Sequence, residues 1–268
     1  MTATPALSFI DSHAHVADPA FDEGRDAVIA RAVTAGCRAV VCIGENIAAA
    51  ERAAVLAAGN PGFVFATAGV HPHEASSYDD ARDDARLREL VARGAVALGE
   101  CGLDYHYDNA PRDVQRDVFR AHIRLAAELG RPVVVHTREA EADTIAAVRD
   151  AESAGVIGVL HCFGGGPALA EAALSAGWFV SFAGVVTFRK WDGDGLIRMV
   201  PDERLLAESD APYLTPVPFR GKRNEPSYVA HTVQRLAEAR AVTAERVGTL
   251  VTENATRCFG LVLRSDGP

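Results

Sequence analysis

The sequence predicts an α/β fold, a (β/α)8 TIM barrel, from three observations. Eight short apolar runs typical of strands alternate with longer stretches whose apolar spacing suits amphipathic helices. With 268 residues and 49% hydrophobic composition, the chain can build one core of the usual barrel size, about 250 residues. Residues with the chemistry of metal ligands follow several of these runs, and a barrel gathers its strand ends at one mouth. We therefore expect a single domain over residues 1–268.

The predicted strands are short runs rich in Val, Ala, Ile, Leu and Phe: 8–14, 38–44, 63–69, 95–100, 132–137, 157–161, 178–184 and 204–209. The clearest helix between them is 112–130, where apolar residues recur with helical spacing. Gly130 stands where this helix would end before the next strand. After the eighth strand, 226–240 and 243–258 predict an extra pair of C-terminal helices, with Thr243 as the N-cap of the second.

Composition and charge narrow the class of protein. The net charge of −9 argues against a broad basic surface for duplex nucleic acid, but it allows a phosphate substrate held by metals and a few arginines. The five cysteines lack C-x-x-C spacing, which favours reduced and mostly buried thiols. The apolar runs fall far below the roughly 20 residues of a membrane span, and the N-terminus lacks a secretory pattern. We expect a cytoplasmic protein with no membrane partner, and a monomer by default.

The first chemical motif lies in the first predicted strand, at Asp11-Ser12-His13-Ala14-His15. Side chains alternate along a strand, so His13 and His15 would point the same way, and two such imidazoles can chelate one divalent ion. The alternative is a pair of ordinary hydrogen-bonded histidines. Their position near a strand end favours the metal.

Four further residues of metal-ligand type close apolar runs: Glu100, His136, His161 and Asp210. A buried carboxylate such as Glu100 needs nearby cations, which metal ions or an arginine would provide. A lone histidine there is more often a core residue, but two in the same topological position favour coordination. For Asp210, a turn or N-cap aspartate is the alternative. Together with the H-x-H pair, these residues predict a metallohydrolase.

Eight motifs resemble those of the TatD family of metal-dependent hydrolases, within the amidohydrolase-like TIM-barrel superfamily, between about residues 9 and 261. They are D-S-H-A-H at 11–15, G-V-H-P at 69–72, G-E-C-G-L-D-Y at 99–105, H-T-R at 136–138, H-C-F at 161–163, E-S-D-A-P-Y at 208–213, R-G-K-R-N-E-P at 220–226 and N-A-T-R-C-F at 254–259. The resemblance implies a deoxyribonuclease-type phosphodiesterase, a 3′ to 5′ exonuclease on single-stranded ends of DNA or RNA.

The resemblance also implies two divalent metal ions as cofactors. It places one on His13, His15, Glu100 and Asp210. It places the second on Glu100, His136 and His161, so that Glu100 would bridge the pair. Two ions about 3.5 to 4 Å apart can hold both the attacking and the leaving oxygen of a phosphoryl displacement. Histidine and carboxylate ligands suit Zn²⁺, Mn²⁺, Co²⁺, Fe²⁺ or Ni²⁺, and Mg²⁺ stays open because substrate phosphates commonly help to bind it.

The expected mechanism is hydrolysis by a water that the two ions activate, with Asp210 taking its proton. His71, in the G-V-H-P motif, would stabilise the phosphate or assist the leaving oxygen, and the alternative is a structural loop histidine. Four basic residues are candidates for phosphate contacts: Arg138, Arg220, Lys222 and Arg223. For the last three, a solvated surface loop is the alternative.

Two classes of substrate stay open on the sequence alone. One is a nucleic acid end; the other is an ester, amide or aminoacyl-tRNA bond cleaved on the same fold. The basic residues favour a phosphodiester, whereas a small closed apolar pocket would favour a small ester or amide. Five aromatic residues could stack a base or merely complete packing: Tyr105, Tyr107, Phe163, Phe188 and Trp191.

Overall fold

Eight parallel strands form a closed barrel in the computed structural model, which describes residues 7–264. The strands are β1 Phe9–Ala14, β2 Cys37–Cys42, β3 Val64–Ala66, β4 Leu98–Asp104, β5 Val133–Arg138, β6 Gly158–Leu160, β7 Phe179–Phe182 and β8 Leu205–Ala207. They pair in chain order, as β1-β2-β3 and as β4 to β8. The predicted TIM barrel is therefore confirmed.

Backbone hydrogen bonds outside the regular ladders join the two sheets into a ring. Between β3 and β4, Gly99 N donates to Ala68 O at 2.8 Å. Between β8 and β1, Asp210 N donates to His13 O at 2.9 Å and His15 N donates to Ala211 O at 2.8 Å. The closure between β8 and β1 thus brings Asp210 beside the H-x-H motif.

The helices lie between the strands and after them: α1 Arg25–Thr34, α2 Ile47–Gly59, α3 Asp80–Ala92, α4 Arg112–Leu129, α5 Glu141–Ser153, α6 Pro167–Ser175, α7 Asp194–Met199, α8 Val229–Arg240 and α9 Ala244–Phe259. Gly130 ends α4 in the left-handed conformation, as predicted. Thr243 caps α9 by accepting a hydrogen bond from Arg246 N. Residues 226–240 begin with a short 3-10 turn at Pro226–Tyr228 before α8. Among residues 7–264, no helix combines the length and apolarity that crossing a membrane requires.

A small apolar cluster fills the barrel near the starts of its strands. Ile10, Val134 and Leu206 belong to this cluster, and Phe259 of α9 packs against them. Because this end is occupied by apolar side chains, the polar residues that follow along each strand meet at the carboxyl end.

The largest difference from the sequence prediction is in the fourth strand. It was expected at 95–100 with Glu100 at its end, but β4 runs from Leu98 to Asp104, so Glu100 lies inside the strand. The cause is a local irregularity: the pairing register shifts between Leu98 and Cys101. Gly102 has a φ of 126°, and a Cβ there would stand 2.1 Å from the carbonyl oxygen of His136. Only glycine lets the strand continue past this point.

Candidate metal centre

The structure brings the six predicted ligands together in one cluster at the carboxyl end of the barrel. They come from five different strands or strand ends, so only the closed barrel places them side by side. Five of them are buried: His13, His15, Glu100, His161 and Asp210. The sixth, His136, keeps 20% of its side chain exposed.

Glu100 lies at the middle of the cluster and presents its two oxygens to two different groups of histidines. Its Oε2 is 3.3 Å from His13 Nε2 and 3.7 Å from His15 Nε2. Its Oε1 is 2.9 Å from His161 Nε2 and 3.4 Å from His136 Nδ1. The structure thus has the arrangement that a bridging carboxylate requires.

Asp210 belongs to the first of these groups. Its Oδ1 is 3.6 Å from both His13 Nε2 and His15 Nε2. Asp210 has a φ of 55°, a backbone angle that is uncommon for residues other than glycine and that indicates a constrained position. Asn224, fully buried, holds the neighbouring backbone because its amide donates to Ser209 O at 2.7 Å and to Tyr213 O at 2.6 Å.

Three carboxylates that the sequence analysis did not single out contact the outer nitrogens of these histidines. The pairs are His15 Nδ1 with Glu45 Oε2 at 3.3 Å, His136 Nε2 with Asp104 Oδ2 at 3.0 Å, and His161 Nδ1 with Glu208 Oε1 at 3.2 Å. Histidines that bind metals usually donate the other ring N–H to such a group. Each of the three carboxylates lies at or just beyond the carboxyl end of a strand, so the signal that found the ligands could have found them too.

The residues of the cluster fit divalent cations. When an ion is bound, His15, His136 and His161 would donate their outer N–H groups to these carboxylates, and their inner nitrogens would offer lone pairs on the side of Glu100. His13 Nε2 and His15 Nε2 are 3.3 Å apart, and the rings of His13 and His161 stack at 3.9 Å. So many buried acceptors at such distances repel one another unless positive charge lies between them. Among the described residues, three overlapping sets have the spacing of a metal site: His13, Glu100 and His161; His13, His15 and Asp210; and His71, Glu100 and His136.

His71 lies in the cluster but differs from the other histidines in its hydrogen bonding. Its Nδ1 accepts a hydrogen bond from His73 N at 3.1 Å, and its Nε2 is 3.5 Å from Glu100 Oε1. Burial lowers the pKa of His71 to about 3, so the ring is neutral and its single proton resides on Nε2. His71 therefore presents a hydrogen-bond donor to the centre, whereas a ligand would present a lone pair.

The charge state of Glu100 follows from its surroundings. Burial alone would raise its pKa, but the histidines around it, His161 foremost, hold that pKa well below the usual range. Glu100 is consequently ionised, as a metal-bridging carboxylate must be.

The four basic residues predicted to contact phosphate have unequal surroundings. Arg138 ends β5 next to the cluster, is exposed, and has its guanidinium 4.9 Å from the centre of the Tyr107 ring. Arg220 donates to Thr215 O at 2.9 Å and covers the ring of Phe188. The other two also lie against aromatic rings, Lys222 against Phe219 and Arg223 against Phe21. All four are exposed and lie against aromatic rings, and Arg138 is the one that ends a strand beside the cluster.

The five aromatic residues named as stacking candidates differ in the same way. Phe163 is 1% exposed and Tyr105 donates its hydroxyl to Asp143, so both are used in the fold. Phe188 is covered by Arg220, and Trp191 packs against the core. Tyr107 alone of the five is largely exposed, at 56%.

The chain is similar to known proteins over nearly its full length. The sequence matches the family described as TatD related DNase over residues 10–260. It is 38% identical over 251 residues to the Bacillus subtilis protein named uncharacterized metal-dependent hydrolase YabD, covering 93% of this chain and 98% of that one. It is also 38% identical to the 3′-5′ ssDNA/RNA exonuclease TatD of Musicola paradisiaca, and the match covers 90% of this chain and 94% of that one. The crystal structure of Escherichia coli YjjV, a TatD homolog, superposes with a TM-score of 0.88 at 25% identity. The superposition covers 96% of this chain and 100% of that one.

Proposed function

Because this chain belongs to the TatD family of metal-dependent hydrolases, we propose that it is a 3′ to 5′ exonuclease acting on single-stranded ends of DNA or RNA. The observation that carries the proposal is Glu100, a single ionised carboxylate with one oxygen toward His13 and His15 and the other toward His136 and His161. That arrangement suits two adjacent divalent ions. Enzymes that hydrolyse phosphodiesters commonly use such a two-metal site. Relatives named as exonucleases supply the polarity and the preference for single strands.

Two ions would be held as the family resemblance implies. His13, His15, Glu100 and Asp210 would bind the first ion, and Glu100, His136 and His161 would bind the second. When bound, such ions supply Lewis acidity, which acidifies water and neutralises charge on phosphoryl oxygens. Mg²⁺, Mn²⁺, Zn²⁺, Co²⁺, Fe²⁺ and Ni²⁺ are all compatible with this mixed set of donors.

Asp210 would accept the proton of the attacking water. Both of its contacts with the histidines run through Oδ1, which lies 3.6 Å from His13 and from His15. This leaves Oδ2 to receive a proton. A carboxylate fixed beside the attacking water is the usual general base of such hydrolases.

His71 would donate a hydrogen bond to the phosphate or to the leaving oxygen. Its Nδ1 is occupied by His73 N, so its Nε2–H is directed to the side of the centre on which Glu100 Oε1 lies. A fixed donor aimed at developing negative charge stabilises the transition state more than the ground state.

Arg138 would hold the phosphate that follows the scissile bond, because it is exposed at the end of β5, two residues beyond His136. Arg220, Lys222 and Arg223 stay predicted phosphate contacts. Arg223→Ala tests this role, because loss of a phosphate contact should weaken nucleic acid binding and flatten its salt dependence.

A panel of metals and substrates tests the proposed function. The metal-free protein would be supplied with Mg²⁺, Mn²⁺, Co²⁺ or Zn²⁺ and assayed on end-labelled single-stranded DNA, duplex DNA, RNA and small esters, with Asp210→Asn as control. Metal-dependent shortening from the 3′ end that the control lacks supports the proposal. Ester or amide turnover without any cleavage of nucleic acid would contradict it and favour a different hydrolase on the same fold.

A further inference from the structure

Two strongly exposed tyrosines lie on the rim of the candidate metal centre. Tyr107 is 56% exposed and Tyr213 is 54% exposed, although large apolar and aromatic side chains are usually buried. Tyr107 follows β4, and Tyr213 follows β8, so the two lie after strands that are not neighbours in the barrel. Both are therefore available to a substrate that reaches the centre.

The backbone of Tyr107 is tied to the centre through Asp104. Tyr107 N donates to Asp104 Oδ1 at 2.8 Å, and Asp104 Oδ2 is 3.0 Å from His136 Nε2. Edge contacts with His73 and His106, at centroid distances of 5.4 and 4.8 Å, fix the ring. The guanidinium of Arg138 lies 4.9 Å from the ring centre. The Tyr107 side of the centre thus combines an aromatic ring with a positive charge.

The backbone of Tyr213 is held just as firmly, through Asp210. Tyr213 N donates to Asp210 O at 2.8 Å, and the buried amide of Asn224 donates to Tyr213 O at 2.6 Å. The ring meets His15 edge-on at a centroid distance of 5.9 Å. A fixed, exposed ring this close to a proposed ligand is in a position to define where a substrate group lies.

A carboxylate lies near each tyrosine, but the Tyr107 side adds an exposed guanidinium. Asp104 is buried against His136, whereas Arg138 is exposed beside the Tyr107 ring. Near Tyr213, Glu45 Oε2 is 3.3 Å from His15 Nδ1. Glu45 keeps 33% of its side chain exposed, and it adjoins the His15 ring that Tyr213 contacts. A phosphate is repelled by such carboxylates and attracted by Arg138.

We propose that Tyr107 and Tyr213 are two nucleobase-stacking subsites on either side of the scissile phosphate, with the terminal base on Tyr213 and the next base on Tyr107. This inference rests on the proposed function. A terminal nucleoside has no phosphate beyond the scissile one, so it fits the acidic side. The continuing strand, with a phosphate at every step, leaves past Arg138. The charge difference would thereby restrict cleavage to strand ends.

The test combines tyrosine variants with substrates that lack a single base. Tyr213→Ala and Tyr107→Ala would be assayed with Mn²⁺ on single-stranded DNA carrying an abasic residue either at the digested end or one position inward. Stacking of a base on an aromatic ring contributes about 1–3 kcal/mol, so each alanine variant should raise KM between about 5- and 140-fold on intact DNA. An abasic residue at the digested end should not raise the KM of Tyr213→Ala any further. An abasic residue one position inward should not raise the KM of Tyr107→Ala any further.

Two kinds of control separate stacking from damage to the site. Phenylalanine at either position keeps the ring and should recover most of the affinity that alanine loses. Val55→Ala, which shortens an exposed apolar side chain on α2, should leave KM unchanged. Mn²⁺ affinity should be the same in all variants.

The outcomes distinguish this inference from the proposed function. If the wild type shortens DNA but the alanine variants keep KM within twofold, or if base and tyrosine losses add in full, the stacking subsites are wrong and the exonuclease stands. If the wild type shortens no single-stranded nucleic acid with any metal, both proposals fall.

Discussion

At the scale of single residues, the outer contacts of the histidines decide which nitrogen faces the centre. His15, His136 and His161 each have a carboxylate at the outer nitrogen, and His71 has a backbone N–H there. These contacts suit the proposed roles, metal binding for the first three rings and hydrogen-bond donation for His71. The sequence identified these histidines but could not assign their tautomers, because the partners come from other parts of the barrel.

Asp104→Asn should weaken metal binding without unfolding the protein. The amide oxygen can still accept the hydrogen bonds that Asp104 Oδ1 takes from His106 N and Tyr107 N. The negative charge against His136 Nε2 is lost, and removal of such an outer partner typically costs 10- to 100-fold in metal affinity, so a loss of about that size is expected. Titration with Mn²⁺ measures it. Asp143→Asn is the matched control, since Asp143 contacts Tyr105 and Arg116 instead of a proposed ligand. Equal affinity in both variants would exclude the role of Asp104.

His71→Asn should lower turnover while keeping the metal. Loss of a donor aimed at developing charge commonly lowers kcat by about 100- to 1000-fold. His161→Ala should instead lose metal, because His161 Nε2 faces Glu100 Oε1 at 2.9 Å. Metal content of the purified variants, measured beside kcat, separates the two roles. A metal-free His71→Asn protein would show that His71 is a ligand.

At the scale of elements, β4 carries the largest error of the sequence prediction. Seven of the eight strands were found close to their expected positions, but β4 continues to Asp104 because Gly99 and Gly102 accept backbone conformations that other residues avoid. The apolar pattern ends at Leu98, so periodicity could not show that the strand goes on. Predicting it required knowing that the backbone of β5 passes within van der Waals distance of these glycines.

Gly102→Ala should destabilise the barrel more than Gly94→Ala. Both glycines have positive φ, 126° and 108°, so both variants suffer backbone strain. A Cβ at Gly102 would also stand 2.1 Å from His136 O, whereas one at Gly94 meets nothing within 4 Å. The clash should make the free energy of unfolding about 1–3 kcal/mol smaller in Gly102→Ala than in Gly94→Ala, as measured by urea denaturation. Equal losses of unfolding free energy in the two variants would mean that backbone strain alone, without the clash, accounts for the need for glycine at position 102.

The ion pair between Arg31 and Glu225 joins α1 to the segment before α8. Its contribution to the free energy of unfolding should depend on pH. Burial would raise the pKa of Glu225, but the hydrogen bond from Arg31, at 2.6 Å, holds that pKa below its usual value. The contribution is therefore present above the unfolded pKa and is lost as the pH falls through the folded one. Arg31 is half exposed, so we expect about 1 kcal/mol or less. The stability difference between wild type and Glu225→Gln should shrink from pH 6 to pH 3; a difference that grows would contradict this sign.

At the scale of the whole molecule, the fold and the site were predictable to different depths. Alternation of strand and helix patterns with ligand residues at strand ends was enough for the barrel, because a (β/α)8 topology sends every strand end to one mouth. The strand-end pattern includes the positions of the outer carboxylates, but neither their histidine partners nor the role of Tyr213 could be recognised from it. Their significance depends on exposure and on contacts between residues far apart in the chain, such as Tyr213 with His15.

Removal of metal should lower the stability of the whole barrel. A bound ion adds its binding free energy to the stability of the native state, because the unfolded chain does not hold His13, His15, Glu100 and Asp210 together. A ligand present at 100 times its Kd stabilises the native state by about 2.7 kcal/mol, so chelation should lower Tm by several degrees. Calorimetry with and without chelator measures this, and Asp210→Asn should show a smaller change. An unchanged Tm after complete metal removal would contradict the idea that the cluster is built for cations.

We propose that Glu100 bridges two ions, and titration with Mn²⁺ followed by electron paramagnetic resonance can detect that bridge. Two Mn²⁺ ions that share a carboxylate are exchange-coupled, and their spectrum differs from that of isolated ions. We predict a coupled spectrum at two equivalents in the wild type and its loss in Glu100→Gln. Two uncoupled ions, or saturation at a single ion, in the wild type would contradict the account.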